Sequence, residues 1–428
     1  MEFLHLAILL IPMLALICLG LPIFASMGVT CLIYAFLFNI PLMVLAQSSV
    51  AGLGSYDLLA LPFFLLAGHL MNVGGMTTRL LDFSAALIGH VRGGLSHVNI
   101  LSAMVFSGVS GSAVADASAI GSVLIPAMKK QGYSASYAAA VTAAASSIGP
   151  IIPPSIPMVI FGLLTGTSIG KLFLGGAIPG ILMGVYLLIA SFIISRRRQY
   201  PANPKASLKQ VLRTSRHALA AMVMPIIIIG GISSGIVTPT ESGAVAVAYA
   251  LLFGLLLYKE IKLKELFSVF CRSMFETSIV LIIVAVSGLF VWIIANMGLG
   301  AALVTLFKSV STNKWIVLIL LNVFLLVWGT VLDPLTAMFV LIPVFVPLVN
   351  EVGIDLVHFG VVVVINLGMA LVTPPVGGVL FLTTAIAQAE FEVVVKEIVP
   401  FLVALLLLLI TCIFVPDLVT WLPRMLIR

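Results

Sequence analysis

Charge is what this chain most lacks. Of its 428 residues only 8% are charged, 62% are hydrophobic, and the mean hydropathy is +1.28. Soluble domains carry about a quarter of their residues as charges, so that class is excluded. Cysteine is scarce too. Cys18, Cys31, Cys271 and Cys412 lie scattered in or beside apolar segments with no CxxC pair and no Cys/His cluster, which excludes a disulfide framework and structural zinc. No GxxxxGK[ST] sequence occurs, so ATP hydrolysis does not drive the chain by itself. The opening Met1-Glu2-Phe3-Leu4-His5 has no basic n-region, so the first apolar run is expected to persist as a mature span. The net charge of +6 does not indicate nucleic acid, because the basic residues cluster in loops beside apolar runs.

Glycine and proline, by contrast, are abundant, at 36 and 22. Alternating ten-residue segments, the mark of a membrane β-barrel, are absent. The composition therefore predicts an all-α polytopic membrane protein with closely packed and broken helices. The breaks concentrate in four places. Ser107-Gly108-Val109-Ser110-Gly111-Ser112, with Asp116, is followed by Ser147-Ile148-Gly149-Pro150-Ile151-Ile152-Pro153-Pro154. Gly329-Thr330-Val331-Leu332-Asp333-Pro334 is followed by Gly368-Met369-Ala370-Leu371-Val372-Thr373-Pro374-Pro375. In a bilayer, irregular backbone is costly unless it lines a cavity or binds something.

The segments fall into two similar halves. The first has an apolar span from about Leu4 to Leu19, a break at Gly20-Leu21-Pro22, a second span that runs to about Leu45 and a third from about Leu58 to Val73, with a polar loop over Gln47–Tyr56. An amphipathic arm over Met76–Arg92 is expected to lie in the interface. Val98 to Phe106 is too short to cross a core about 30 Å thick at about 1.5 Å per residue. With Ala113 to Met128 it predicts a re-entrant hairpin tipped at Ser107–Ser112. A span broken at Gly149–Pro157 and one from Phe173 to Ile194 complete the half. The second half repeats the order: spans Ala218–Ile236 and Ala244–Tyr258, a basic loop Lys259–Arg272, a span Ile279–Ala295, and an arm Gly298–Asn313. A hairpin tipped at Gly329–Pro334 follows, built from Trp315–Trp328 and Leu335–Val349, also read as too short to cross. A span broken at Gly368–Gly378, a polar gap Glu390–Lys396 and a span Pro400–Val415 end the chain. Asp116 precedes Pro126 by the same offset at which Asp333 precedes Pro343. The predicted division is residues 1–195, a cytoplasmic linker 196–217, and residues 218–428.

Five crossings per half make the second copy inverted. With the N-terminus outside, the cytoplasmic basic residues are Arg79, Arg92, Lys129, Lys130, Arg196, Arg197, Arg198, Lys205, Lys209, Arg213, Arg216, Lys259, Lys262, Lys264, Arg272 and Lys396. Only Lys171, Lys308, Lys314, Arg424 and Arg428 fall outside, and this bias fixes orientation.

Inverted repeats with helices broken at mid-membrane are the pattern of secondary transporters. Unwound carbonyls and hydroxyls suit Na⁺, and half-helix N-termini suit an anion. Two Na⁺ sites are expected. One joins Ser107, Gly108 and Ser110 to Ser147, Gly149 and Pro150. The other joins Gly329, Val331 and Asp333 to Gly368, Met369, Val372 and Thr373. Substrate is expected between the tips, at Ser110, Gly111, Ser112, Pro154, Ser155, Thr330, Pro374, Pro375 and Gly377. Asp116 and Asp333 either cap the second hairpin helices or touch ligand. His69 and Asn72 are expected to bond between helices, Glu241 to start a helix, and Glu276 to sit at the interface. A channel is disfavoured by the lack of a charged ring or repeated filter loop. An intramembrane aspartyl protease would need Asp116 and Asp333 to face one water, and its GxGD signature is missing.

Leu332-Asp333-Pro334, Ile342-Pro343 with Pro347, Gly353-Ile354-Asp355, His358-Phe359-Gly360-Val361 and Leu371 to Gly377 resemble the large membrane subunit of TRAP (tripartite ATP-independent periplasmic) transporters. Ser107 to Asp116 and Pro150 to Ser155 fit the same family, so the resemblance covers nearly the whole chain. It implies an elevator-type ion-transporter superfamily fold in a bacterial inner membrane. It also implies Na⁺-coupled import of an organic acid, such as sialic acid or a C4-dicarboxylate, with no enzymatic activity. The implied partners are a small four-helix membrane subunit and a periplasmic substrate-binding protein. The alternative is a stand-alone Na⁺-coupled anion symporter without a binding protein.

Overall fold

The computed structural model describes residues 2–297, 304–305, 311, 313–330 and 332–427. Val331 and most of the arm expected over residues 298–313 lie outside the described residues. Within them the secondary structure is helical, with no strand. The first half holds α1 (Glu2–Cys18), α2 (Ile23–Leu37), α3 (Leu42–Leu53), α4 (Ala60–Val73), α5 (Met76–Ile88), α6 (Gly94–Ser110), α7 (Ala113–Lys130), α8 (Ala135–Ser146), α9 (Ile156–Thr165) and α10 (Ile169–Arg197). The second holds α11 (Leu208–Ser233), α12 (Pro239–Leu251), α13 (Leu263–Asn296), α14 (Lys314–Gly329), α15 (Pro334–Glu351), α16 (Leu356–Ala370), α17 (Gly378–Ala387), α18 (Phe391–Phe414) and α19 (Asp417–Leu426). Seven helical stretches among the described residues are long and apolar enough to cross a membrane.

Several boundaries depart from the hydropathy reading, each for a local reason. The second span is two helices, α2 and α3. Asn39 turns at φ 52, and Pro41 cannot donate the amide hydrogen a continuous helix needs. The polar stretch from Gln47 is helical as far as Leu53, because polarity without a breaker does not end a helix. For the same reason α13 begins at Leu263, inside the expected basic loop, and α18 begins at Phe391, inside the expected polar gap. α15 has 18 residues and is itself long enough to cross, so length alone does not make it a hairpin arm. Its packing against α14 does.

Two helices form the centre. In α8, Ser136 to Ser146 are all buried. In α16, His358 to Ala370 are all buried. Alanine supplies most of α8, which lets neighbours approach its whole circumference closely. α8 packs on α6, α7, α17 and α18, while α16 packs on α14, α15, α9, α10 and α18. The half-helix after each break therefore seats on the other half's hairpin: α9 on α15, and α17 on α7. An outer group repeats this reciprocity, with α4 against α12 and α13 against α3.

One buried amide ties each hairpin to its own broken helix. Asn99 Nδ2 of α6 donates to Thr142 Oγ1 of α8 at 2.6 Å. Asn366 Nδ2 of α16 donates to Asn322 O and Oδ1 of α14 at 2.8 and 2.9 Å. Asn99 lies about three turns before the end of α6 and Asn322 about two turns before the end of α14, so each hairpin arm is tied to its broken helix below the tip.

Candidate functional site

The first tip is a two-residue turn. α6 ends at Gly111, which takes φ 61, a left-handed conformation that side chains disfavour. Ser112 then caps α7, its hydroxyl accepting from Ala115 N at 3.4 Å. Asp116 is not a cap. It is fully buried, and its carboxylate turns back onto α6, accepting from Ser107 Oγ at 2.9 Å and from Ser110 Oγ. It also faces the first break. A Cβ placed on Gly149 would lie 2.6 Å from Asp116 Oδ2 and 3.0 Å from Ala113 N, so only glycine lets the break approach the tip this closely. No basic side chain pairs with Asp116 among the described residues.

Asp333 does cap, accepting from Leu335 N at 3.1 Å at the start of α15. Gly329 approaches Leu367 and Ala370 of α16, so the second tip and second break also meet. The breaks touch each other as well, since a Cβ on Gly368 would lie 3.4 Å from Ser147 O. Both Pro-Pro pairs, Pro153-Pro154 and Pro374-Pro375, carry cis peptide bonds. Thr373 Oγ1 donates to Met369 O at 2.7 Å, and Val372 N donates to the same carbonyl at 3.1 Å.

Between the tips and breaks lies a cavity of about 120 Å³. Gly111, Ser112 and Val114 line it from the first tip, and Pro150, Ile156 and Pro157 from the first break. Asp333, Pro334 and Leu335 come from the second tip, and Gly368 and Leu371 from the second break. The fold thus brings Gly111 and Leu371, distant in the chain, to one wall. Not every expected substrate residue reaches the cavity wall. Ser110 lies on the far side of its tip, in a separate cleft. Ser155 is buried, caps α9 and donates its proton to Pro150 O. Thr330 Oγ1 donates to Val327 O of its own helix at 2.8 Å. Pro154, Pro374, Pro375 and Gly377 lie in the two breaks and do not line the cavity.

The apolar wall residues Ile156, Val364 and Leu371 were not legible, because nothing in an apolar run marks which face meets a cavity. Thr336 was also missed. It is fully buried one turn into α15, and its hydroxyl has no partner among the described residues. Its place three residues after Asp333 was the available signal. His69 bonds between helices, Nε2 to Glu276 Oε2 at 2.8 Å, and Glu241 joins Thr238 in a capping box. Asp116 and Asp333 each bond to their own hairpin and not to each other, which is no proteolytic dyad.

Known proteins share this architecture. A family model described as the DctM component of the tripartite ATP-independent periplasmic transporter matches residues 10–418. The sialic acid TRAP transporter large permease protein SiaM of Vibrio cholerae is 38% identical, over 89% of each chain. The 2,3-diketo-L-gulonate TRAP transporter large permease protein YiaN of Escherichia coli is 38% identical, over 94% of this chain and 95% of that one. The C4-dicarboxylate TRAP transporter large permease protein DctM of Pseudomonas aeruginosa is 35% identical, over 86% of each. The crystal structure of the Alcanivorax borkumensis YdaH transporter superposes with a TM-score of 0.64 over 88% of this chain and 89% of that one, at 13% identity, which is a likeness of fold. The family model over residues 10–418 and these relatives show that the chain belongs to the DctM component family of TRAP transporters, a multi-pass membrane transporter and not an enzyme.

Proposed function

We propose that the chain is the large membrane subunit of a Na⁺-coupled, binding-protein-dependent importer of an organic acid, working by an elevator movement in a bacterial inner membrane. The observation that carries this reading is the cavity lined by both tips and both breaks. A site enclosed by two reciprocal half-helix systems can be carried across a barrier as one body. The reciprocal packing of α9 on α15 and α17 on α7 supports an inverted repeat, with halves at 1–195 and 218–428 joined by the linker 196–217.

Asp116 supports the sodium reading. A buried carboxylate with no basic partner needs a proton or a cation. The hydroxyls of Ser107 and Ser110 beside it are hard oxygen donors of the kind Na⁺ takes. The second site would use the carbonyls at Gly329, Gly368, Met369 and Val372 with Thr373 and Asp333. Val331 is part of the same proposal. The substrate anion would meet the N-terminus of α7, just after Ser112, where the positive end of the helix faces the cavity; at α15 the Asp333 carboxylate already takes Leu335 N and Pro334 has no amide hydrogen to offer. Substrates in the names of the relatives are sialic acid, 2,3-diketo-L-gulonate and C4-dicarboxylates, all organic acids. A small membrane subunit and a periplasmic binding protein complete the assembly, as the tripartite family description supports.

Uptake into proteoliposomes holding this chain and its small subunit tests the reading. Sialic acid and malate are each supplied with a cognate binding protein, with and without an inward Na⁺ gradient. Uptake of one acid that requires both the binding protein and Na⁺ is expected. Uptake without a binding protein would instead favour a stand-alone symporter, and uptake indifferent to Na⁺ would remove the coupling ion.

A further inference from the structure

A second cavity, of about 410 Å³, lies on the other side of the first tip, between that tip and the outer group. It shares Ser112 and Val114 with the central cavity. Its remaining wall brings Ser110 and Ser118 of the hairpin against Asn72 of α4 and Arg272 of α13. Unlike the central cavity, its wall carries a cationic side chain, Arg272, beside the carboxylate of Glu276.

The cation is held in a definite way. Arg272 Nε donates to Glu276 Oε1 at 3.2 Å, one turn along α13. The other oxygen of Glu276 is taken by His69 Nε2 at 2.8 Å, so α4 anchors the carboxylate that orients the arginine. Both oxygens of Glu276 are thereby engaged, while Nη1 and Nη2 of Arg272 have no partner among the described residues. The Arg272 side chain is 71% exposed. Asn72 Oδ1 accepts from Thr77 Oγ1 at 2.9 Å, which leaves the two Nδ2 hydrogens as donors. Ser118 adds an exposed hydroxyl. A guanidinium edge, an amide and a hydroxyl around one space form a donor set matched to a carboxylate, which arginine binds through two parallel bonds.

We propose that this cleft is a second carboxylate-binding station, where Arg272 receives an organic acid passing the first tip on the side where the basic residues cluster. The station rests on the organic-acid reading above, and it adds the arginine that the tips and breaks lack. Glu276 and His69 are positioning residues for it.

The test uses the full chain with its small subunit in proteoliposomes. Ser118→Cys is introduced in a Cys271→Ser background, because Cys271 is exposed. Labelling at position 118 is followed by mass spectrometry with an anionic and a cationic methanethiosulfonate of similar size. Malate and sialic acid serve as protecting probes. The ratio of anionic to cationic labelling is expected to fall about tenfold in Arg272→Gln, the scale on which a charged cleft raises local counter-ion concentration. It should stay within about threefold in Arg272→Lys, which keeps the charge. Protection by one of the acids should be present with Arg272 and lost in Arg272→Gln. An unchanged ratio and unchanged protection in Arg272→Gln would overturn the station, whatever the uptake. Arg272-dependent protection without uptake of either acid would instead retain the anion site and remove the import reading.

Discussion

At the scale of single residues, Asp116 and Gly149 decide how close the first tip and first break can come. The carboxylate lies where a Cβ on Gly149 would have to go. Gly149→Ala is expected to destabilise the detergent-purified protein by about 1–3 kcal/mol, the usual cost of overpacking a close-packed site. A thermal unfolding series that shows no loss would mean the tip and break have room to part. On the sodium reading, Asp116→Asn removes the charge but keeps the shape and should raise the Na⁺ concentration for half-maximal uptake about tenfold, near 1.4 kcal/mol of lost ion binding. Thr373 is a matching test in the second break. Its proton is committed to Met369 O at 2.7 Å, but its oxygen lone pairs can still ligate. Thr373→Ala should raise the same Na⁺ requirement without lowering expression, and Thr373→Ser should restore it. Unchanged Na⁺ dependence in the alanine variant would take Thr373 off the ligand list. These residues were legible because Ser, Thr, Asp and Gly are conspicuous inside apolar runs. The direction in which Asp116 turns was not, since an Asp four residues past Ser112 fits a helix start as well as a contact with the preceding helix.

At the scale of elements, the hairpins owe their position to buried amides. Asn366 is wholly buried, and without it Asn322 O and Oδ1 would lose a shared donor. Asn366→Leu is expected to cost about 1–3 kcal/mol through the stranded polar group, whereas Asn322→Leu combined with Asn366→Leu should recover part of that loss. Denaturant unfolding of the three proteins gives the coupling directly, and additive losses would mean that the pair does not register the hairpin. The sequence announced the hairpins by their tips, but it misjudged helix ends at α3, α13 and α18. Hydropathy measures transfer to lipid, while helix ends depend on breakers and caps, so Lys, Glu and Gln continue a helix beyond the apolar run.

At the scale of the whole molecule, the orientation expected from where lysine and arginine fall, with the N-terminus outside, can be tested directly. Lys205, in the linker between α10 and α11, and Asn313, just before α14, are both exposed. In intact cells, Asn313→Cys should react with a membrane-impermeant thiol reagent, whereas Lys205→Cys should react only after the membrane is opened. The reverse pattern would invert the topology and, with it, the side on which the Arg272 cleft lies.

The sequence by itself determined the membrane class, the all-helical fold, the four breaks and the family, because each depends on composition or on local runs of residues. Only the tertiary structure decided which faces of those runs meet. It set Asp116 against Gly149, kept Ser155 and Thr330 out of the cavity wall, and brought Arg272 of α13 within one cleft of Ser118 on α7. Inside an apolar core every face of a helix looks alike in sequence, so side-chain direction and long-range neighbours emerge only when the helices pack.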